Sequence, residues 1–471
     1  MIASFVLIMA LSLGIALWAR RGRKQGQGQG HDDARAFFVA GGQFGALLFF
    51  FLSVGETYSI ATMLGFPGGV YAGGDSFVLW FFGYILLAGP CLYFLGPWIW
   101  RAGNIYGSAT IPDFFRAHFD SRALEILIAA GAIVLLVPIG TMQFLGMKLV
   151  LAALVPQAPV MALLGAAGLL TFAYVALAGL RASAFVAVLK DVLMLGSILL
   201  VGALAIAHWN GAGAGTAAAA PAPALPPAAG GGLPFAISTI LLQAVGFAMI
   251  PQNWAFIFSA RDPRAIQRAQ VIAPLYMVMF PLLMVVAYFA QRHGIAVPRP
   301  DFVFLAVAMA LLPGWVVGLV MAAVVLSGLM ILSSVCLAIA PLFTRNLVPG
   351  LGNRAQQGWS KVVIAVFLAL SILATQAKVP LIATLNNVFY FGIVQTLPGF
   401  VGALLVARMP ARGVLAGIGA AGVFIVWARL AGGAPGGINP GLIGLAINAL
   451  VVAACTALWP REGGRAIIGR D

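Results

Sequence analysis

Thirteen apolar runs, most of them about twenty residues long, are strung along this chain with only short polar stretches between them. A helix needs roughly 20 apolar residues to cross the hydrocarbon core of a bilayer. A water-soluble core cannot absorb so many segments of that length. The runs fall at about 2–19, 43–66, 73–99, 124–155, 160–180, 184–208, 233–259, 270–291, 314–343, 360–376, 380–407, 413–430 and 437–459. A shorter apolar stretch, Phe302–Leu312, reads as a helix on the outer face. The first run is followed at once by Arg20, Arg21, Arg23 and Lys24, the reverse of a cleaved signal peptide, so it reads as an anchor helix entering from outside.

The basic residues supply an independent check. Arg292, Arg299, Lys378 and Arg429 fall in loops assigned to the outside, and Lys148 and Lys190 fall within spans. The other 20 of the 26 Lys and Arg lie in loops assigned to the cytoplasm. Adding or removing one span would scramble that asymmetry from that point onward. The net charge of +14 therefore belongs to short membrane-flanking loops, which excludes a nucleic-acid partner. Charged residues are 8% of the chain, far below the roughly 25% of soluble domains, and no polar stretch is long enough to bury a core of its own. The expected architecture is an all-α integral membrane protein, one transmembrane domain over 1–471, with lipid as its surroundings. The sequence leaves the oligomeric state open, and a monomer is expected to suffice for function.

Cys91, Cys336 and Cys455 lie inside apolar runs and read as packing residues, with no metal site or cofactor. The uncharged stretch at 209–232, rich in Gly, Ala and Pro, reads as a flexible outer loop. His31, His118, His208 and His293 all fall away from the expected midplane, which argues against a histidine proton relay.

Two spans carry interruptions. The second reads Ser53-Val54-Gly55-Glu56-Thr57-Tyr58-Ser59, and the seventh reads Gly246-Phe247-Ala248-Met249-Ile250-Pro251-Gln252-Asn253-Trp254. Pro251 removes a helix hydrogen bond in mid-span and pushes Ile250 out of the α region. A carboxylate such as Glu56 near mid-bilayer costs roughly 2.5–3.5 kcal/mol, which points to an interior cavity with a function. Each interrupted span opens a set of five. That pattern predicts two inverted repeats, at 43–208 and 233–407, with the substrate at their interface where freed backbone groups act as ligands. The helix at 1–20 precedes the repeats, and two accessory helices with a tail occupy 408–471.

Several motifs resemble the sodium/solute symporter family. Phe37-Phe38-Val39-Ala40-Gly41-Gly42 is similar to its opening motif, and Gly65-Phe66-Pro67-Gly68-Gly69-Val70-Tyr71 to the end of its first core helix. Thr110-Ile111-Pro112-Asp113-Phe114-Phe115-Arg116, followed by Phe119, resembles its most specific loop motif. Within the family the chain resembles the bacterial monocarboxylate permease branch. The shared segments are Gly55-Glu56-Thr57-Tyr58, Gln143-Phe144-Leu145-Gly146, Gly179-Leu180-Arg181-Ala182 with Lys190-Asp191, Phe343-Thr344-Arg345-Asn346 and Gln395-Thr396-Leu397-Pro398. The resemblance implies a LeuT-type core of five plus five inverted helices, with one extra helix before it and two after. It also implies cation-coupled uptake of a small carboxylate such as lactate or pyruvate.

The departures bear on coupling. Where the branch often has Pro-His, this chain has Pro251-Gln252. The paired hydroxyl positions that the family uses for sodium fall on Met330 and Ile331, with Ser327 a turn before and Ser333 and Ser334 a turn after. The coupling ion is therefore read as either a proton carried by Glu56, or sodium held by Glu56, Gly55 and Tyr58 with Ser333 or Ser334. Asp191 is read either as an ion-exit residue or as half of a Lys190–Asp191 pair reaching for the inner face. Gly55, Glu56, Thr57, Tyr58, Gln143, Gln252, Trp254, Tyr390 and Gln395 are the expected substrate-site residues. Lys148 snorkels outward or draws in an anion. No arginine lies deep in a span, which favours a monocarboxylate over a dicarboxylate, while an amino acid or vitamin-like acid stays open. The catalytic clusters of a membrane enzyme and the repeated pore-lining polar residues of a channel are both absent from the spans. A symporter-fold sensor would carry a signalling domain, and the sequence runs only about ten residues past its last span.

Overall fold

A computed structural model describes residues 1–21, 50, 58–211, 232–379, 381–433, 435–459 and 466–468, without the side chains of 19–21 and 176–184. The described residues form helices and no strands. In chain order these are α1 (Ile2–Arg21), α2 (Phe66–Tyr106), α3 (Ile111–Phe119), α4 (Arg122–Leu154) and α5 (Val160–Ala207). Then come α6 (Leu233–Gly246), α7 (Pro251–Ser259), α8 (Pro263–Ile272), α9 (Met279–Arg292), α10 (Val303–Leu311) and α11 (Gly314–Pro341). The last five are α12 (Asn353–Ala374), α13 (Thr384–Ile393), α14 (Leu397–Leu405), α15 (Ala411–Leu430) and α16 (Pro440–Leu458). Among the described residues nine helices are long and apolar enough to cross a membrane, ten when the bent pair α6–α7 counts as one span. Shorter apolar helices cover Ile2–Trp18, Val160–Val175 and Pro300–Leu311.

The packing explains the composition. α11 is the axis, buried over almost its whole length, with α4, α5 and α1 laid against it. Its inward residues are small or branched (Ala322, Ala323, Val324, Ser327, Gly328), which lets neighbouring backbones come close. Large apolar side chains such as Phe94, Val134, Leu169, Leu275, Val423 and Leu450 point outward, as lipid-facing surfaces require. α15 and α16 pair chiefly with each other at the periphery.

Two expected spans are continuous with a neighbour. The run 43–66 ends in a π-helical turn, Ala61–Gly65, that continues into α2, so the described part spans Ala61–Tyr106. α2 bends at Gly74, whose φ of 58° and ψ of −144° suit a residue without a Cβ. The runs 160–180 and 184–208 are likewise joined in α5.

Candidate functional site

The break at Pro251 is present. Ile250 is extended (φ −66°, ψ 126°), and the axis turns by 48° between Leu233–Met249 and Pro251–Ser259. Breaking a helix strands carbonyls that cannot be left bare in a membrane interior. Here the next turn supplies the donors. Asn253 Nδ2 donates to Phe247 O at 2.8 Å, and Trp254 Nε1 donates to Ala248 O at 2.8 Å.

The first interruption is described only from its second half. Gly55, Glu56 and Thr57 lie outside the described residues. Tyr58 and Ser59 are non-helical, and helix resumes at Ile60. Ser59 caps this restart: its Oγ accepts from Ala61 N at 3.1 Å, and its carbonyl takes the amides of Thr62 and Met63. Gly146 makes the close approach possible, since a Cβ there would lie 2.1 Å from Ile60 Cγ2.

Between the two breaks lies a cavity of about 510 Å³, mouth included. The first break contributes Ser59, Ala61 and Thr62, and the second contributes Phe247, Ile250 and Gln252. Gln143 and Met142 enter from α4, Phe81 and Tyr84 from α2, and Asn386, Phe389 and Tyr390 from α13. Among the described residues no charged side chain lines it. Gln143 is fully buried; its amide nitrogen makes a long 3.4 Å bond to Ile139 O, and its Oε1 has no partner. Asn386 Nδ2 donates to Tyr84 Oη at 3.3 Å. Two half-helix N-termini, at Ser59–Thr62 and Ile250–Gln252, face this space with the positive ends of their dipoles.

Of the expected substrate residues, Gln143, Gln252 and Tyr390 meet in the cavity. Trp254 does not line it. Its indole is spent on the break, and its ring packs against Phe114, Phe258 and Phe400. Gln395 also stands elsewhere, donating to Phe391 O and Gly441 O and tying α16 to the bundle together with Asn448. Tyr58 presents its backbone to the break while its ring stacks on Tyr276 at 5.0 Å. Ser333 and Ser334 donate to Leu329 O at 2.8 Å and Ile331 O at 2.9 Å on their own helix. The Lys190–Asp191 pair does not reach for an interface, because both side chains are buried. Sequence reasoning passed over Ser59, Thr62, Tyr84 and Asn386. The adjacent Asn386 and Asn387 inside an apolar run were a usable signal, since polar residues in spans pack inward.

Packed side chains lie on two sides of the cavity. On one side Phe66, Phe77, Phe81 and Phe280 form an aromatic block, with Phe66 edge-on to Phe280 at 4.9 Å. Beyond it Asp301, fully buried, accepts from Ile382 N at 3.2 Å and pairs with Arg299 at 3.2 Å. Burial outweighs Arg299 and the Ile382 amide and raises the Asp301 carboxyl to about 6. Folded protein then holds a proton that unfolded chain has released. Stability accordingly falls as pH rises from about 4 to about 6, by roughly 3 kcal/mol. Thermal melts of detergent-purified protein across that range should show the slope, and Asp301→Asn should flatten it; an equal slope in both would refute it.

On the other side the Thr110–Arg116 motif becomes legible. Thr110 Oγ1 caps α3 by accepting from Asp113 N and donates to Asn346 Oδ1 at 2.9 Å. Asn346 Nδ2 donates to Asp113 Oδ1 at 2.6 Å and Glu125 Oε1 at 2.9 Å. Glu125 Oε2 takes Arg116 and Arg122, each at 2.7 Å. A second space, lined by Thr110, Pro251, Ala255, Leu337 and Pro341, lies between this network and the break.

A bundle with two broken helices around a cavity lined by amides and hydroxyls is the construction of an alternating-access solute carrier rather than an enzyme or a pore. Residues 37–420 match the sequence model of the Sodium:solute symporter family, and the chain belongs to that family. It is 26% identical over 96% of its length to the uncharacterized symporter YhjB of Bacillus subtilis, covering 95% of that protein. It is also 26% identical over 98% of its length to a monocarboxylate transport permease protein of Rhizobium johnstonii, covering 97% of it. Among solved structures, the substrate-bound outward-open state of a Na+-coupled sialic acid symporter superposes with a TM-score of 0.75, at 15% identity and 98% coverage of both chains. The fold is thus the LeuT type, and the protein is a cation-coupled solute symporter of the membrane.

Proposed function

We propose that the protein takes up a small monocarboxylate, of the size of lactate or pyruvate, by cation-coupled alternating access across a bacterial inner membrane, with its N-terminus outside. The cavity between the breaks carries this reading. Its polar groups are amides and hydroxyls (Gln143, Gln252, Asn386, Ser59, Thr62, Tyr84), set against two helix N-termini. Such a site holds one carboxylate through neutral donors and dipoles, while a second carboxylate would find no cationic side chain among the described lining residues. The relative from Rhizobium johnstonii is named for monocarboxylate transport, which supports the same substrate class.

Binding follows directly from apparent stability, because a ligand that binds only folded protein raises it. A thermal-shift screen over small monocarboxylates, dicarboxylates and amino acids should show saturable stabilisation by monocarboxylates alone. Stabilisation by an amino acid without response to any monocarboxylate would redirect the assignment.

A further inference from the structure

One buried ion pair of the described structure takes no part in the cavity. Lys190 is fully buried on α5, at membrane depth, with no route for its ammonium to snorkel. Its Nζ donates to Tyr58 O at 3.2 Å and lies 2.5 Å from Asp191 Oδ1. Asp191 Oδ2 accepts from Tyr276 Oη at 3.5 Å, and Tyr276 stacks on Tyr58. A lysine from one half of the bundle thus grips the backbone carbonyl at the edge of the first break. That carbonyl belongs to a residue outside the helix, just before it restarts at Ile60.

Burying an ion pair costs several kcal/mol per ion before Coulomb attraction returns part of it, and a neutral donor could satisfy one carbonyl without that cost. A positive charge at the unwound segment of a broken helix is, however, what a carrier needs to hold one of its two conformations. We propose that Lys190 is a tethered cation that does this work, and that the coupling particle is the proton it shares with Asp191. The inference rests on the symport reading above. A lysine cannot leave with the substrate, so the only exchangeable positive charge it offers is a proton. In the held state Nζ carries three protons and Asp191 none. Passing one proton from Nζ to Oδ1 leaves a neutral amine and a neutral carboxylic acid, and the charge-assisted hold on Tyr58 O is lost. Release of the Asp191 proton to the opposite compartment and reprotonation of Nζ from the first close the cycle.

The surroundings suit this role. The groups acting on the pair are Tyr58 from the break, Tyr276 from the segment after α8 and, through Tyr58, Tyr84 from α2. One turn before Lys190, Val186 and Ala187 pack against Leu326 and Met330 of α11 and Ala16 of α1, an apolar seal on that side. Ser333 and Ser334 spend their protons on their own helix.

Proteoliposomes test it. Wild-type protein should accumulate labelled lactate or pyruvate under an inward proton gradient, with sodium replaced by choline on both sides, and a trapped pH dye should report proton entry with the substrate. Lys190→Arg keeps a charge at the Tyr58 carbonyl but holds its proton, so gradient-driven accumulation should drop about tenfold or more. Substrate exchange between equal pools should persist in that variant, with its pH dependence flattened. Lys190→Met should fail in the same assay where it folds. Should both variants fail to fold, the dye measurement on wild type decides alone. Accumulation that requires sodium and brings in no protons would overturn the proposal, as would an unaltered pH profile in Lys190→Arg. Absence of monocarboxylate exchange in wild type would instead count against the substrate reading. In that event saturable stabilisation of the wild type by sodium, lost in Asp191→Asn, overturns the tethered cation, and indifference to sodium upholds it.

Discussion

Gln143→Leu should leave the protein folded and weaken substrate binding by about thirtyfold, close to 2 kcal/mol. The side chain is fully buried, and its Oε1 has no partner among the described residues. Removing that amide therefore costs the folded protein little, and leucine nearly matches its volume. The bound state loses more, because a carboxylate that has shed its water then meets an apolar wall in place of an N–H donor after the amide turns. Titrated thermal shifts on both proteins measure the difference. An unchanged affinity would show that the substrate binds elsewhere.

The second large effect concerns the network at the far end. Glu125 joins Arg116, Arg122 and Asn346, and through Asn346 reaches Thr110 and Asp113. Glu125→Leu removes one acceptor of the buried Asn346 amide and both charge-assisted bonds from Arg116 and Arg122, whose guanidiniums then turn to solvent. The expected loss is about 2 kcal/mol of stability, since the network loses charge-assisted hydrogen bonds and a buried amide loses an acceptor. Exchange across the membrane should also become leaky, because α3 is held to the end of α11 through these bonds. Asn346→Asp serves as a milder companion, keeping the shape and adding a repelling charge beside Asp113 and Glu125. A melting temperature equal to wild type in Glu125→Leu would contradict the role assigned to the network.

What the sequence carried depended on the range of the interaction. Apolar run length and basic-residue bias are local properties, so the membrane class and the bundle were readable from them. Pro251 announced its break because a missing N–H is intrinsic to the residue. The Thr110–Arg116 and Phe343–Asn346 motifs were visible too, but not that they bond one another, since 236 positions separate Thr110 from Asn346. The same limit explains Trp254, which sits in the break's own sequence and yet serves the break rather than the substrate. Lys190 read as a residue able to extend to the interface, because only the fold shows it fully buried and bonded to the Tyr58 carbonyl and Asp191. The span boundaries at 66/73 and 180/184 blurred for a different reason, in that helix geometry continues through short polar intervals when packing covers them.

Accumulation is the property that separates this account from every rival. Purified protein in proteoliposomes, given labelled lactate or pyruvate and an imposed inward cation gradient, should raise the internal concentration above the external one with saturable kinetics. Collapsing the gradient with an ionophore should return it to equality. Flux that rises linearly with concentration and stops at equilibrium under every gradient would contradict a coupled carrier built on the two broken helices.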